Sequence, residues 1–322
     1  MDNRLPLNCI LSFCREQIPE HGEDSFCYAF CDTAGLTAVF DGCGGSGSKK
    51  HPCYNGHSEA YVASRLCADV VYEDFCDVFP TDMETEQFIK SKLTPDLKQV
   101  LEQCAPPQEE GTLRIRGSMV RTLPTTAAMA VIRSKEEDRL RVSAVWAGDS
   151  RVYILDADGL AQLTVDDTTV PDPMETLFED GVLKNVICKD RPVRLHCAQY
   201  SVKLPCMVFA ATDGCFGYVS TPMEFEAMLL STLTESQSID HWEKALAEKI
   251  GTVAGDDYTL CLAAYGYEDM DSLHRIFSRR WKTVQEEYMQ HLTGADPDDR
   301  QLRRQLWEKY APDYCRYLKD GM

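Results

Sequence analysis

Acidic residues stand at the ends of several apolar runs in this sequence, most of them beside glycine. These places are VFDG (Val39–Gly42), VWAGDS (Val145–Ser150), VFAATDG (Val208–Gly214) and the pair Asp256-Asp257 before TLCLAAY. An isolated Asp-Gly pair is most often a turn, but strands of one sheet have ends that cluster. Several unpaired carboxylates together are costly unless a cation neutralises them. Oxygen ligands without histidine or cysteine suit Mg²⁺ or Mn²⁺, so the pattern favours a metal site over scattered turns.

The segments around these acids predict the elements that would position them. Short apolar runs joined by turns such as RSKEEDR and DADG predict a meander of antiparallel strands. The predicted strands are Phe26–Phe30, Leu36–Phe40, Thr125–Ile132, Leu140–Gly148, Arg151–Leu155, Cys206–Gly214 and Asp256–Gly266. Helical spacing of apolar residues predicts a helix after Ser58, another over Glu84–Cys104, and two more between residues 222 and 251. Because strands and helices do not alternate as βαβ units, the predicted fold class is α+β.

Composition excludes several classes of partner. The 322 residues carry 33 Lys and Arg against 52 Asp and Glu, a net charge of −19, which disfavours binding to nucleic acid or to an anionic membrane surface. The apolar runs fall short of the roughly 20 residues that span a bilayer, and no signal peptide is recognisable. The 15 cysteines form no C-x-x-C pair, so we expect neither zinc nor a disulfide framework, but a reduced, cytoplasmic protein.

An ordered set of motifs resembles one known family. The motifs are HGEDSF, VFDGCGG, PTTAAMAVI, VWAGDSRVYIL, ATDG and GDDYTL, spread over roughly residues 8–266. Their types and order are similar to those of the metal-dependent, protein phosphatase 2C-like phosphatases. The resemblance implies a four-layer αββα sandwich of two antiparallel sheets flanked by helices. It divides the chain into a catalytic domain, residues 1–266, and a helical C-terminal extension, residues 267–322.

The resemblance also implies roles for the acids at the strand ends. Two Mn²⁺ or Mg²⁺ ions are expected, with a labile third ion in some members. The expected metal ligands are Asp41, which would bridge two ions, the carbonyl of Gly42, Asp213, Asp256 and, for the third ion, Asp149. Glu23 and Asp24 are expected to hold metal-bound waters. Catalysis would be attack of a metal-bridging hydroxide in line on phosphorus, with no phosphoenzyme.

Several positions depart from the family's pattern. Cys43 replaces a histidine that many eukaryotic members carry after the Asp-Gly pair, a difference typical of bacterial members. Its thiol could donate a proton to the leaving group or merely pack beside the cluster. Gly217 replaces an acid that supports the third ion in some members, and Asp257 stands where asparagine is common.

The arginine that usually binds the substrate phosphate is also missing, since Pro19 occupies its position. Arg15, eight residues before Glu23, is the preferred substitute, because a guanidinium can bind two phosphate oxygens at once. Lys49 and Lys50, in an apparent insertion after the glycine cluster, are the second candidates. A solvated lysine pair on a loop is the competing interpretation.

Three functional hypotheses follow. The first is a bacterial serine/threonine phosphoprotein phosphatase, acting on a phosphorylated protein and paired with a cognate Ser/Thr kinase. The second is a pseudophosphatase, a binding module that recognises a phosphoprotein without turnover. The third is a metal-dependent hydrolase of small phosphate esters. The retained acids Asp41, Asp213 and Asp256 argue against a pure binding module.

The C-terminal extension carries an apolar stripe at helical spacing. Its members are Leu273, Ile276, Phe277, Val284 and Tyr288. A free helix with this stripe would be marginal in water. We therefore expect the extension to dock on the catalytic domain or on a second copy, the alternative being a helix that orders only with a partner.

Overall fold

The computed structural model describes residues 4–79, 81, 83–107, 120–136, 138–170, 172–179, 181–296 and 299–318. Its strands are β1 (Leu7–Arg15), β2 (Ser25–Phe30), β3 (Ala34–Phe40), β4 (Ala127–Glu136), β5 (Arg139–Ala147), β6 (Arg151–Asp156), β7 (Gly159–Gln162), β8 (His196–Lys203), β9 (Cys206–Ala211) and β10 (Tyr258–Tyr265). Its helices are α1 (Gly44–Gly47), α2 (Glu59–Val78), α3 (Thr85–Phe88), α4 (Thr94–Cys104), α5 (Pro222–Glu235), α6 (Ile239–Gly251), α7 (Met270–Val284), α8 (Gln290–Leu292) and α9 (Arg300–Tyr314). The π-helical stretches Ile89–Leu93 and Gln285–Met289 connect α3 to α4 and α7 to α8. Among the described residues, each helix is too short or too polar to span a bilayer.

The strands form two five-stranded antiparallel sheets. The first sheet has the order β1-β10-β9-β6-β7, and the second has the order β2-β3-β4-β5-β8. The inner faces of the sheets pack against each other through side chains such as Val39, Ala128, Val208 and Ala263. This inter-sheet layer is the centre of the core.

Helices cover both outer faces. Helices α5, α6, α7 and α9 pack on the first sheet, where Phe209 and Leu262 share an apolar cluster with Trp242 and Phe277. Helices α2 and α4 pack on the second sheet through a separate apolar cluster that includes Val71 and Leu97. The expected four-layer αββα sandwich is therefore confirmed.

The central strands are covered on both faces, which explains their composition. Every residue of β3, β9 and β10 is buried, so these strands read as continuous apolar runs instead of alternating with polar residues. The strands predicted from such runs are observed, with ends that differ by a few residues. Strands β1, β7 and β8, which the sequence did not predict, are edge strands. The weaker pattern of β1 and β8 follows from their partly exposed side chains, whereas β7 is buried but has only 4 residues.

The C-terminal extension packs on the outer face of the first sheet. Phe277 and Val284 of α7 and Tyr310 of α9 are buried in the same cluster as the sheet residues, as the apolar stripe predicts. A buried carboxylate fixes the contact, because Glu226 of α5 accepts hydrogen bonds from Arg280 Nε at 2.7 Å and from the Tyr310 hydroxyl at 2.6 Å. The boundary at residue 266 stays a prediction.

Candidate metal centre

The strand ends that precede the acids meet at one edge of the sandwich. In the second sheet Ser25 pairs with Phe40, and Ala127 pairs with Ala147. In the first sheet Ala211 pairs with both Leu260 and Arg151, next to the pairing of Arg15 with Tyr258. The turns beyond these pairs carry the acids, and the β1–β2 and β5–β6 connections pass from one sheet to the other at this edge.

Asp41, Asp149 and Asp213 converge there. Each brings one carboxylate oxygen within 4.8 Å of an oxygen of the other two. Burial raises the pKa of each carboxyl above its usual range, and the charge on Asp213 raises the pKa values of Asp41 and Asp149 further. Within the described residues, Oδ1 of Asp149 is buried and has no hydrogen-bond partner.

This donor set fits a divalent cation. Three carboxylates that repel one another, one with an unsatisfied buried oxygen, form an unfavourable arrangement unless positive charge is supplied. Their ligand atoms are all oxygens, as Mg²⁺ and Mn²⁺ prefer. The group contains the expected bridging ligand Asp41, the ligand Asp213 and the expected third-ion ligand Asp149.

Two threonines at the start of β4 position Asp41. The Asp41 carbonyl accepts hydrogen bonds from the Thr125 hydroxyl and from the Thr126 amide, both at 2.8 Å. The Asp41 amide donates to Thr126 Oγ1 at 3.4 Å, and that same hydroxyl lies 2.7 Å from Ser150 Oγ. Thr126 therefore links the turn that carries Asp41 to the turn that carries Asp149.

Asp167 holds the other side of the Asp149 turn. Its amide donates to the Gly148 carbonyl at 2.9 Å, and its Oδ2 accepts from the Gly148 amide at 3.2 Å. The remaining oxygen, Oδ1, lies 2.9 Å from His196 Nε2. Gly148 has a φ of +99°, a conformation that favours glycine. Sequence reasoning missed Asp167, whose partners are distant along the chain.

Asp24 is a buried acid that contacts Thr212, the residue before Asp213. It is 2% exposed, and its Oδ2 accepts a hydrogen bond from the Thr212 hydroxyl at 2.8 Å. Burial raises the pKa of Asp24 to about 8, with a further contribution from the charge on Asp213. Asp24 is therefore a buried carboxyl next to the Asp213 turn.

Glu23 and Lys50 meet at the entrance of α2. Glu23 Oε1 accepts a hydrogen bond from the hydroxyl of Ser58, which also caps α2 by accepting from the Tyr61 amide at 3.0 Å. Lys50 pairs with Ser58 through an isolated backbone bridge. Burial raises the pKa of Glu23, and the positive charge of Lys50 opposes that shift.

The other two cations predicted to bind the substrate phosphate, Arg15 and Lys49, make other contacts than Lys50. Arg15 is exposed at the end of β1, and its guanidinium donates to the Cys14 carbonyl at 3.3 Å. Lys49 is half-buried, and its carbonyl accepts the Glu59 amide at 2.9 Å. The charge of Lys50 acts on the Glu23 carboxyl, which makes Lys50 a candidate beside Arg15 and Lys49.

Asp256 and Asp257, the acidic pair before β10, have different surroundings. Asp256 is exposed at the rim, outside the carboxylate group found among the described residues, although its charge raises the pKa of Asp213. Asp257 accepts the amides of Gln17 at 2.8 Å and Glu23 at 2.7 Å. Asp257 thus ties the segment that carries Glu23 to the start of β10, a role that sequence reasoning missed.

The glycines after Asp41 and Asp213 are required by close packing of the backbone. A Cβ atom at Gly42 would lie 2.5 Å from the Ala60 carbonyl oxygen, and one at Gly214 would collide with the Asp257 carbonyl. Gly42, the predicted carbonyl ligand, also forms an isolated bridge with Thr125. Burial and the nearby Asp41 charge raise the pKa of the Cys43 thiol well above its usual value, so this thiol stays protonated.

Solved structures similar to this chain include bacterial phosphatases. Serine/threonine phosphatase Stp1 from Staphylococcus aureus matches with a TM-score of 0.57 and 18% identity, over 82% of this chain and 97% of that chain. The Mycobacterium tuberculosis phosphatase PstP/Ppp matches with a TM-score of 0.55 and 19% identity, over 80% of this chain and 99% of that chain. The chain has the fold of the bacterial PP2C-type serine/threonine phosphatases. No protein-family model and no curated sequence matches it.

One of these structures contains metal. The catalytic domain of PstP in complex with two manganese ions matches this chain with a TM-score of 0.53 and 17% identity, over 80% of this chain and 98% of that chain. At such identity the likeness concerns the fold. The support for a metal site in this chain is therefore the convergence of its own Asp41, Asp149 and Asp213.

Proposed function

We propose that this protein is a metal-dependent serine/threonine phosphoprotein phosphatase. The observation that carries the proposal is the convergence of Asp41, Asp149 and Asp213, with a buried, unpartnered oxygen on Asp149. A protein that used this edge for packing would gain by replacing such acids with apolar or hydrogen-bonded side chains. The phosphatase fold supports the same conclusion.

Asp41, Asp149 and Asp213 would hold Mn²⁺ or Mg²⁺, with the Gly42 carbonyl and the rim residue Asp256 as further ligands. Bound ions would activate water and offset the charge on the phosphoryl oxygens. Glu23, which accepts the Ser58 hydroxyl, and the buried Asp24 would orient water beside this group. We infer that both ions of a two-metal centre, and any third, bind at this edge.

Lys50 is the cation that we propose for binding the substrate phosphate. Its backbone pairing with Ser58 keeps it near Glu23, and its charge acts on that carboxylate. Arg15 remains the alternative, since it lies at the end of β1, at the edge of the sandwich where Asp41, Asp149 and Asp213 converge. We call this edge the metal edge.

The substrate that we propose is a protein bearing phosphoserine or phosphothreonine, supplied by a partner Ser/Thr kinase in a bacterial cytoplasm. Cysteines packed in the core as thiols, such as Cys67, Cys206 and Cys261, support a reducing compartment. The net charge of −19 supports a protein substrate over nucleic acid.

Comparison of two substrates tests the proposal. Phosphate release would be measured with Mn²⁺ from a phosphothreonine peptide and from p-nitrophenyl phosphate, and Mn²⁺ binding would be measured by calorimetry. We expect hydrolysis of both substrates, with higher kcat/KM for the peptide, and loss of both hydrolysis and tight Mn²⁺ binding in Asp213→Asn. Peptide binding without turnover would identify a pseudophosphatase, and turnover of the small ester without the peptide would identify a small-ester hydrolase.

A further inference from the structure

A short segment beside the metal group forms one wall of a cavity. We call residues 172–178 the wall segment; it contains the 3-10 turn Glu175–Leu177. Thr176 and Leu177 line a cavity of about 190 Å³ together with Asp149 and Asp213. The position of the wall segment therefore sets the width of the space next to two of the three converging carboxylates.

Helix α9 of the C-terminal extension holds the outer side of this segment. Arg304 forms an ion pair with Glu175, and the Arg300 guanidinium lies 5.0 Å from the centroid of the Phe178 ring. The two arginines and the wall segment enclose a second cavity of about 350 Å³. The ion pair is partly exposed, with 46% and 41% of the two side chains accessible, so it can open without unfolding the domain.

The inner side of the wall segment contacts a buried arginine. Thr176 Oγ1 accepts a hydrogen bond from Arg151 Nη2 at 3.2 Å, and the same Nη2 donates to Asp166 Oδ2 at 2.6 Å. Asp172 Oδ1 accepts the amides of Met174 and Glu175 and so begins the turn. The segment is thus held between Arg151 inside and helix α9 outside.

Helix α9 is itself firmly anchored, so it can act as a fixed support. The hydroxyl of Tyr314, the last residue of the helix, donates to Gln162 Oε1 at 3.0 Å, and Nη2 of Arg316, just beyond the helix, donates to Asp156 Oδ1 at 2.9 Å. Gln162 Nε2 in turn donates to Asp166 Oδ1 at 3.3 Å. Helix α9 is therefore connected to the Arg151–Asp166 pair by two routes. One runs from Tyr314 through Gln162, and the other runs from Arg304 through the wall segment.

We propose that α9 is a positioning element for substrate recognition: Arg304 and Arg300 fix the wall segment and so shape the cavity that receives the peptide around the phosphorylated residue. The inference rests on the proposed phosphatase function. It predicts an effect on protein substrates that a small ester, which fills less of the cavity, does not show. Glu175, Arg300 and Arg304 are positioning residues and do not touch the reacting atoms.

The test uses full-length variants. Arg300→Ala/Arg304→Ala removes both contacts, and Arg304→Glu breaks the ion pair alone. The pair Glu175→Arg/Arg304→Glu restores that ion pair with reversed charges, and Lys309→Ala is the control. Lys309 is on the same helix but pairs with Glu287 at 2.9 Å, away from the wall segment. Hydrogen exchange is followed at the amides of Thr176, Leu177 and Phe178, which are bonded within the segment. In parallel, kcat and KM are measured for a phosphothreonine peptide and for p-nitrophenyl phosphate.

Loss of an exposed ion pair and loss of an exposed cation–π contact should each raise the equilibrium constant for opening of the wall segment by about two- to fivefold. We therefore expect about tenfold faster exchange in the double-alanine variant and a peptide KM raised by about three- to tenfold. Kcat for the small ester should be unchanged. Lys309→Ala should resemble the wild type, and the charge reversal should recover most of both effects relative to Arg304→Glu alone.

Unchanged exchange in the double-alanine variant would overturn the proposal, and so would faster exchange with an unchanged peptide KM. Failure of the reversed pair to recover either readout would show that the arginines act without Glu175, against the proposed contact. Exchange does not depend on turnover. An inactive wild-type protein would therefore refute the phosphatase assignment, while the exchange data would still decide whether α9 positions the segment.

Discussion

Two regions of the molecule bury carboxylates and treat them in opposite ways. Under the C-terminal extension, Glu226 is fully buried, and it accepts hydrogen bonds from two nitrogens of Arg280 and from the Tyr310 hydroxyl. At the metal edge, Asp41, Asp149 and Asp213 face one another, and Oδ1 of Asp149 has no partner in the part of the chain that is described. One region neutralises its acid from within the chain, whereas we propose that the acids of the other are neutralised by a cation from solution.

The contrast separates structural acids from functional ones. A buried carboxylate with a bidentate arginine adds little net stability but is costly to disrupt. A group of half-buried carboxylates that repel one another lowers stability, and we infer from this cost that the group binds a ligand. Substitutions in the two regions should therefore act on different properties, and the following experiments test that division in order of decreasing effect.

The largest effect is expected from Asp41→Asn. Asn removes the charge that would bind both metals, so Mn²⁺-dependent phosphate release should fall to background. The metal-free variant should melt at a higher temperature than the metal-free wild type, because one repelling charge is gone. Asp240→Asn, at an exposed position in the first turn of α6, is the control and should change neither quantity. Substantial Mn²⁺-dependent turnover in Asp41→Asn would refute the site.

The second effect concerns the structural acid. Arg280→Met leaves Glu226 buried and uncompensated, which should lower the free energy of unfolding by about 3–5 kcal/mol in urea denaturation. Arg275→Met, at an exposed position of the same helix, should cost far less. Mn²⁺ affinity should not change in either variant. Equal stability of the two variants would mean that the buried pair is unimportant for docking the extension.

The third effect is a pH dependence of the metal-free protein. The pKa of Asp24 is raised by burial to about 8, so the folded state holds this proton after the unfolded state has lost it. The contribution of Asp24 to stability is therefore complete below pH 4 and is lost progressively as the pH rises from about 4 to about 8, by up to about 1.4 kcal/mol per pH unit. Asp24→Asn should show a flatter profile between pH 5 and pH 8. Parallel profiles for the two proteins would contradict the assigned shift.

The residues that the sequence predicts are those marked by a local pattern, and the residues that it misses act through contacts distant along the chain. The positions of Asp41, Asp149 and Asp213 could be predicted because doubly covered strands are apolar runs that end visibly at a carboxylate. The sandwich followed from the motif order. Asp167 and Asp257 could not be recognised, since each acts through hydrogen bonds to residues far along the chain. The exposed rim position of Asp256 also depends on how the last turn packs, which no local pattern records.

The fourth effect is a loss of metal affinity when the link between the Asp41 turn and the Asp149 turn is removed. Thr126→Val keeps the shape of the side chain but removes the hydroxyl that joins the Asp41 amide to Ser150 Oγ. Loss of such a supporting contact typically lowers metal affinity by about 10- to 100-fold, and we expect the lower end because the Asp41 carbonyl keeps two other hydrogen bonds. Calorimetry with Mn²⁺ measures the change. Thr234→Val, whose hydroxyl bonds within its own helix, is the control, and equal affinity in both variants would exclude a positioning role for Thr126.

The smallest effect concerns the cation that binds the substrate phosphate. The sequence favours Arg15 and predicts that Arg15→Ala raises KM by about tenfold or more. In the structure, however, the Arg15 guanidinium donates to the Cys14 carbonyl, and the charge of Lys50 acts on Glu23. We therefore expect Lys50→Ala to raise the KM for a phosphopeptide by about threefold, the scale of a partly solvated charge contact, and Arg15→Ala to raise it less. The Lys50 effect should fade as salt increases, because exposed charges are screened. A larger and salt-insensitive effect of Arg15→Ala would instead indicate a guanidinium bound to two phosphate oxygens. The phosphate would then lie at the end of β1, beside Arg15.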